Sequence, residues 1–478
     1  MKAMRRPWPV RLAARTLPCL LPALVPVLFP VLFLLGGSGC HRGLERPDVV
    51  LVTIDTLRAD HCSAYGYAVP TTPVLDALAR RGVLFRRAYA ESATTAPSHA
   101  VLLTGRHFRT MGVTRNGATI PDEAVTLAET MREQGYATAG FVSSYPLRSR
   151  FGFGQGFDVY DDTFDTAEAS IGRRKEGEKS FDRLAAATVE HALAWLAQRE
   201  DDRPVFVWMH FVDPHAPYRA PEKFEAVWPG PSRPVVERYD AEVRYADKQL
   251  GVFLEQFAAR TPGRSDLVVV TSDHGEGLGD HGWMAHGTNL HEEAVRIPLV
   301  VSWPGHLPEN VVEEAPVGIV DIAPAILDLL SIEAPTFAHG RPLFGNADPG
   351  RRIFLQRRDY RSEKDRGRRI AGEMTAVVAG GHKLIVAPKE KLRALYDLGA
   401  DPQELRELLG SPGITPGKAA PPAPPAPEGP EKAAHEATSV RMEDELTRWQ
   451  QVFPAEAGSD APMDEETLKA LRSLGYVD

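Results

Sequence analysis

The sequence predicts an α/β chain: one large, mainly parallel sheet with helices on both faces, followed by a small C-terminal α+β subdomain. Three observations predict it. Apolar runs at residues 48–54, 205–212 and 267–270 each stop at polar, chemically capable residues. Helical patterns alternate with these runs. After Leu330 the character changes, with strand signals over residues 375–386 and then Ala394, Leu395, Tyr396, Asp397 and Leu398.

The first run is β-branched and apolar almost throughout, the pattern of a strand buried on both faces of a parallel sheet, and it ends at Asp55. The second leads into Asp213, Pro214 and His215, and the third into Thr271, Ser272, Asp273 and His274. Helices are expected over residues 122–134, closed by Gly135, and over residues 181–198. Ligands of such sheets bind beyond the carboxyl ends of the strands, which makes Asp55, Asp213, His215, Asp273 and His274 neighbours in space. The expected organisation is a leader over residues 1–39, a main domain over 47–335, a subdomain over 336–410, a flexible segment over 411–440 and a helical tail over 441–478. Eight prolines and many alanines between residues 411 and 437 give a composition that cannot pack a core. Residues 464–474 have the pattern of a final amphipathic helix.

A chain of 478 residues with 43% hydrophobic and 25% charged residues can bury a large core, so disorder throughout is excluded. Lys2, Arg5, Arg6, Arg11 and Arg15 precede an acid-free apolar stretch at residues 17–35, the pattern of an export signal. Pro18, Pro22, Pro26 and Pro30 interrupt that stretch and favour cleavage over spanning. The run Gly36, Gly37, Ser38, Gly39, Cys40 resembles a bacterial lipoprotein signal, which implies lipidation of Cys40; an ordinary secretory signal and an uncleaved anchor are the alternatives. The resulting expectation is an exported cell-envelope protein on the periplasmic face, held to the membrane by an N-terminal lipid. Losing residues 1–39 removes five positive charges and no negative ones, taking the net charge from -9 to -14. An acidic surface without a basic stripe argues against a nucleic-acid partner. Cys62 is left without an intramolecular partner, so no disulfide framework is expected.

Three segments carry candidate chemistry. In Thr94-Thr95-Ala-Pro-Ser-His99, Pro97 suits the first position of a short helix over residues 100–103, so Thr95 is expected just before a helix N-terminus, where free backbone donors and the dipole favour an anion. Threonine is also a common helix cap. The second segment gathers Asp273, His274, His281, His286 and His291 within nineteen residues, an acid and imidazole half-site for a metal. In the third, Pro214 and Pro217 fix the chain past a strand and hold His215 toward the cleft, whereas His210 reads as a packed strand residue.

Taken together these blocks resemble the sulfatase branch of the alkaline phosphatase superfamily, from about residue 47 to residue 408. The matching blocks are Thr53-Ile-Asp-Thr-Leu-Arg-Ala-Asp-His, Thr95-Ala-Pro-Ser-His with Leu103-Thr-Gly-Arg, Asp213-Pro-His-Ala-Pro-Tyr, Ser272-Asp-His-Gly-Glu, Arg296-Ile-Pro-Leu, Asp321-Ile-Ala-Pro and Leu395-Tyr-Asp-Leu. There are departures. Sulfatases of this kind carry cysteine or serine, oxidised to formylglycine, where Thr95 stands; threonine would give a ketone. His99 replaces an arginine, His286 a substrate-binding lysine, and Thr56 the second of two adjacent aspartates.

The resemblance implies a metal-dependent hydrolase of phosphate or sulfate esters with unmodified Thr95 as nucleophile, phosphate mono- or diesters being favoured. It implies one divalent metal on Asp55, Thr95, Asp273 and His274, with zinc or manganese favoured and calcium possible. Asp213, His215, His281 and His291 are the candidates for a second metal. His215 and His286 are expected in catalysis, and His99, His215, His286 and Asn116 in substrate binding; Arg58 and Arg106 are further candidates. Partners would be small-molecule, lipid or glycan esters. A phosphoethanolamine-type transferase and a non-catalytic binding lipoprotein are the competing readings.

Overall fold

The apolar run after Asp48 forms strand β1 (Val49–Ile54), every residue of which is buried. The computed structural model describes residues 46–164, 181–221, 224, 234–336, 338–345, 347–360, 372–411, 429–459, 465 and 468. The leader with Cys40, most of the proline-rich segment and most of residues 464–474 lie outside the described residues.

Strands β2 (Val83–Phe85), β3 (Ala88–Tyr89), β4 (Ala137–Phe141), β5 (Val159–Asp161), β6 (Val205–Phe211), β7 (Leu267–Ser272), β8 (Arg296–Ile297), β9 (Leu299–Ser302), β10 (Val311–Glu313) and β11 (Val317–Gly318) follow in the main domain. Eight of them form one sheet in the order β10-β2-β9-β7-β1-β6-β4-β5. β1 lies between β6 and β7 and is parallel to both, while β9 runs antiparallel to β7 and β2. The sheet is therefore mixed but mainly parallel.

Successive side chains of a strand point to opposite faces, and the core divides accordingly. Val49 and Leu51 pack with Phe206, Trp208 and the helices α2 (Thr95–Thr104), α3 (Leu127–Glu133) and α7 (Ile322–Leu329). Val50, Val52 and Ile54 pack on the other face with α1 (Pro73–Arg80), α4 (Ala185–Gln198) and α5 (Pro234–Ala259). The short helix α6 (Glu292–Val295) leads into β8.

Local chemistry explains where the helices differ from expectation. α3 starts at Leu127 rather than residue 122 because Thr126 and Glu129 form a capping box, and Gly135, at φ +84°, turns the chain beyond its end. α4 starts at Ala185 rather than residue 181, where the Asp213 carboxylate accepts the Ala185 amide at 2.8 Å. α2 begins at Thr95 itself, with Pro97 as its third residue, and Gly105 at φ +63° ends it. Proline is tolerated anywhere in a first turn, whose amides have no intrahelical acceptor.

The subdomain is an antiparallel sheet of β12 (Ile353–Tyr360), β13 (Gly372–Ala379), β14 (His382–Ala387) and β15 (Leu392–Asp397). The strand signals of residues 375–386 are a hairpin, turned by Gly380 and Gly381, both at positive φ. One face of the sheet packs on Tyr89, Leu290, Ala294 and Val295 of the main domain; the other packs on Met442, Leu446 and Trp449 of α8 (Pro430–Val452). α8 thus begins within the stretch expected to stay unpacked up to residue 440. Pro430 takes its first position, and Ala433, Ala434 and Ala437 are strong helix formers. Among the described residues, no helix is long and apolar enough to cross a membrane.

After α8 the chain returns to the loop that follows α2. The Glu456 amide donates to Arg109 O at 2.8 Å, and the Thr119 amide to Ser459 O at 3.1 Å. Between these bonds Gly112 and Gly458 meet backbone to backbone, and a Cβ on Gly458 would lie 2.1 Å from Gly112 O. Gly458 has no positive φ, so its substitution tests contact alone. Gly458→Ala is expected to destabilise the protein by about 1–3 kcal/mol, read as a lowered midpoint in chemical denaturation.

Candidate active site

Four buried side chains converge beyond the carboxyl ends of β1 and β7. The Asp55 amide continues the ladder to Phe211 O at 2.9 Å, and Thr56 then turns sharply at φ +59°, an uncommon conformation for a β-branched residue. That turn aims the Thr56 amide at Asp273 Oδ1, 3.2 Å away, and the His274 amide reaches the same oxygen at 2.8 Å. His274 Nδ1 donates to Gly275 O at 2.9 Å, so Nε2 is left with a bare lone pair. This lone pair lies 3.4 Å from Thr95 Oγ1, 3.3 Å from Asp273 Oδ2 and 3.8 Å from Asp55 Oδ1.

Electrostatically this arrangement calls for a cation. Burial and the neighbouring Asp55 charge push the Asp273 carboxyl well above the usual range, while burial and the neighbouring His286 hold His274 below its own. Among the described residues Asp273 Oδ2 is buried without a hydrogen-bond partner, and it faces an imidazole nitrogen that has no proton to give. Asp55, Asp273 and His274 can each offer a donor atom within 4.8 Å of the others, as can His99, His210 and Asp273. Carboxylate and imidazole groups are donor types that divalent cations take.

The nucleophile candidate is held by α2. Asn116, expected to bind substrate, has its Oδ1 on the Ala96 amide at 2.8 Å, and Pro97 has no amide to offer. The first turn therefore presents fewer free donors than expected for anion binding. His99 is also placed differently from expectation: it is fully buried, with Nδ1 on Thr95 O at 2.9 Å and Nε2 on Thr53 Oγ1 at 3.0 Å. Trp208 Nε1 donates to the same hydroxyl at 3.1 Å, so Thr53 passes its proton to His99 Nε2, and Nδ1–H donates to the helix. His99 braces the Thr95 backbone from below.

His286 and His215 lie beyond His274. His286 is 4.6 Å, ring to ring, from His274, and His215 is 5.0 Å from His286. His215 Nδ1 donates to Ala216 O at 2.7 Å, which turns its Nε2 away from the backbone. Burial alone would lower the His286 pKa, but Glu276, 3.3 Å from Nδ1, with Asp55 and Asp273 behind it, raises it above the ordinary value.

The four residues considered for a second metal do not form one donor group. Asp213 caps α4. His281 and His291 stack at 4.0 Å, His281 held by Glu293 and Glu404 O and His291 by Glu404. Arg58 is spent on Asp60, Asp280 and Glu276 O, and Arg106 lies at the far end of α2 from Thr95. His210, read as packing, is buried with Nε2 3.5 Å from Asp55 Oδ2. A basic side chain inside an otherwise apolar strand, paired in register with Thr53, was its signal.

Comparison with known proteins identifies the family. The sulfatase family model matches residues 47–332, and the model of the N-sulphoglucosamine sulphohydrolase C-terminal region matches residues 279–418. The chain is 27% identical over 422 residues to an ulvan-active sulfatase of Formosa agariphila, covering 77% of this chain and 78% of that protein. A protein solved in complex with its substrate D-glucosamine-2-N,6-O-disulfate superposes with a TM-score of 0.68 at 19% identity, over 85% of this chain and 98% of the other. The phosphonate monoester hydrolase of Agrobacterium radiobacter superposes with a TM-score of 0.62 at 20% identity, over 85% and 96%. At those identities the structural likeness is one of fold, and the family match covers more than half of the sequence. The chain belongs to the sulfatase family of the alkaline phosphatase superfamily, hydrolases of ester bonds.

Proposed function

We propose that the chain is a metal-dependent ester hydrolase that uses the unmodified Thr95 hydroxyl as nucleophile and prefers phosphate mono- or diesters to sulfate esters. The observation that carries this reading is the 3.4 Å approach of Thr95 Oγ1 to His274 Nε2, at the point where both carboxylates also converge. Asp55, Asp273 and His274 would hold the ion, with Thr95 beside them. A divalent cation bound there would balance the two carboxylates and ease deprotonation of the threonine hydroxyl.

Thr95 Oγ, its proton released to solvent, forms a bond to phosphorus as the ester oxygen departs, and that oxygen takes a proton from an imidazolium that solvent later restores, the role His286 suits through its raised pKa. Water then displaces Thr95 and restores the hydroxyl. His215, whose ring lies 5.0 Å from that of His286, would bind the non-bridging oxygens. Phosphate is preferred because a sulfated threonine lacks the carbonyl hydrate through which a formylglycine expels sulfate. The relative named above as a sulfatase sets the opposing expectation.

A panel of chromogenic phosphate monoesters, phosphate diesters, phosphonates and sulfates, assayed with zinc, manganese or calcium, tests the reading. The highest kcat/KM is expected for a phosphate ester, with phosphate released in the absence of any acceptor alcohol. Faster turnover of the sulfate ester under every metal would overturn the preference. Chelation with EDTA is expected to abolish activity and lower the melting temperature, and saturating zinc or manganese to restore both; at a hundredfold excess over Kd the ion contributes about 2.7 kcal/mol.

A further inference from the structure

We infer that His210 is a positioning residue for the cation site: its Nε2–H orients the Asp55 carboxylate from beneath. This inference rests on the cation reading above. Three observations support it. The Ser143 amide donates to His210 Nδ1 at 3.4 Å, which places the ring proton on Nε2. That nitrogen is fully buried, makes no hydrogen bond of ordinary geometry among the described residues, and lies 3.5 Å from Asp55 Oδ2, at the outer edge of hydrogen-bonding distance. A donor buried in this way is costly unless an acceptor closes on it. The carboxylate is the acceptor in front of it, and the other oxygen, Oδ1, faces His274 Nε2.

The ring itself is held in place. His99 meets it edge to face at 5.0 Å, and strand pairing opposite Thr53 fixes its height in the sheet. His210 therefore presents a proton at a fixed point, leaving one Asp55 oxygen to the histidine and the other to the site. Carboxylate ligands held by a second group in this manner bind metal more tightly than unsupported ones.

The test measures zinc affinity by competition with a chromophoric chelator, for the wild type, His210→Leu and His210→Gln, with melting of the EDTA-treated proteins as a fold check. Glutamine can place an amide donor near the position of Nε2, whereas leucine fills space without one. Leucine is expected to weaken zinc binding about 10–100-fold and glutamine to restore most of that loss. If leucine fails to fold, methionine, similar in volume and without a donor, takes its place. Equal affinity in the wild type and His210→Leu would reduce His210 to packing and overturn the inference. Equal loss in both variants would also overturn it, making the imidazole itself indispensable. A wild type that binds no zinc, manganese or calcium would instead sink the cation reading beneath it.

Discussion

Replacing Thr95 by alanine is expected to lower kcat/KM by at least about 10³-fold on the best ester of the panel while leaving the melting temperature of the metal-free protein within a few degrees. The separation follows from the site. Alanine is as good as any residue at the first position of α2, and the bonds that hold that turn run from the Ala96 amide to Asn116 Oδ1 and from His99 Nδ1–H to the backbone carbonyl of residue 95, neither of which uses the threonine side chain. The hydroxyl faces His274 Nε2, 3.4 Å away. Thr95→Ser keeps the oxygen and should retain measurable turnover with single-exponential phosphorylation of the serine, detectable by mass after rapid acid quench. Full activity in the alanine variant would remove Thr95 from the mechanism.

Asp273→Asn has the second large effect, and it has opposite signs for stability and activity. Asparagine keeps Oδ1 as acceptor for the Thr56 and His274 amides, and its Nδ2 then donates toward the bare His274 Nε2, where the carboxylate had placed a second acceptor 3.3 Å away. The metal-free variant should therefore be more stable than metal-free wild type, by on the order of 2 kcal/mol. The pH dependence fixes the cause. Because the folded pKa of Asp273 is raised, the folded wild type holds a proton that the unfolded chain has released, so its stability falls as pH rises from about 4 toward the folded pKa. The advantage of asparagine should be small at pH 5 and larger at pH 8. Zinc should no longer stabilise the variant, and turnover should drop at least about 100-fold. A variant that melts below metal-free wild type at pH 8 would contradict this account.

Much of this was legible before any coordinates. β1, β6 and β7 announce themselves because a strand covered on both faces must be apolar throughout and can carry polar groups only where it ends. Asp55, Asp273 and His274 follow from that rule with no further information. What escaped depends on partners distant in sequence. Asp213 looked like a ligand because nothing local shows that the amide it accepts belongs to Ala185. His281 and His291 looked like ligands by density, but Glu404, whose backbone carbonyl holds His281 and whose carboxylate holds His291, lies more than a hundred residues downstream. His99 was placed against substrate by analogy with the arginine it replaces; its shorter ring reaches Thr53 and the helix backbone instead.

The position of β1 has a kinetic corollary. It is the earliest strand of the described chain to leave the ribosome, yet both its neighbours, β6 and β7, are made more than 150 residues later. A nascent chain thus carries an unpaired apolar ribbon until β6 has been made, and the sheet's centre closes only after residue 272. Contacts so far apart make for slow folding with exposed sticky intermediates, so yield on refolding should depend on chain concentration more steeply than for a protein of the same size built from consecutive hairpins.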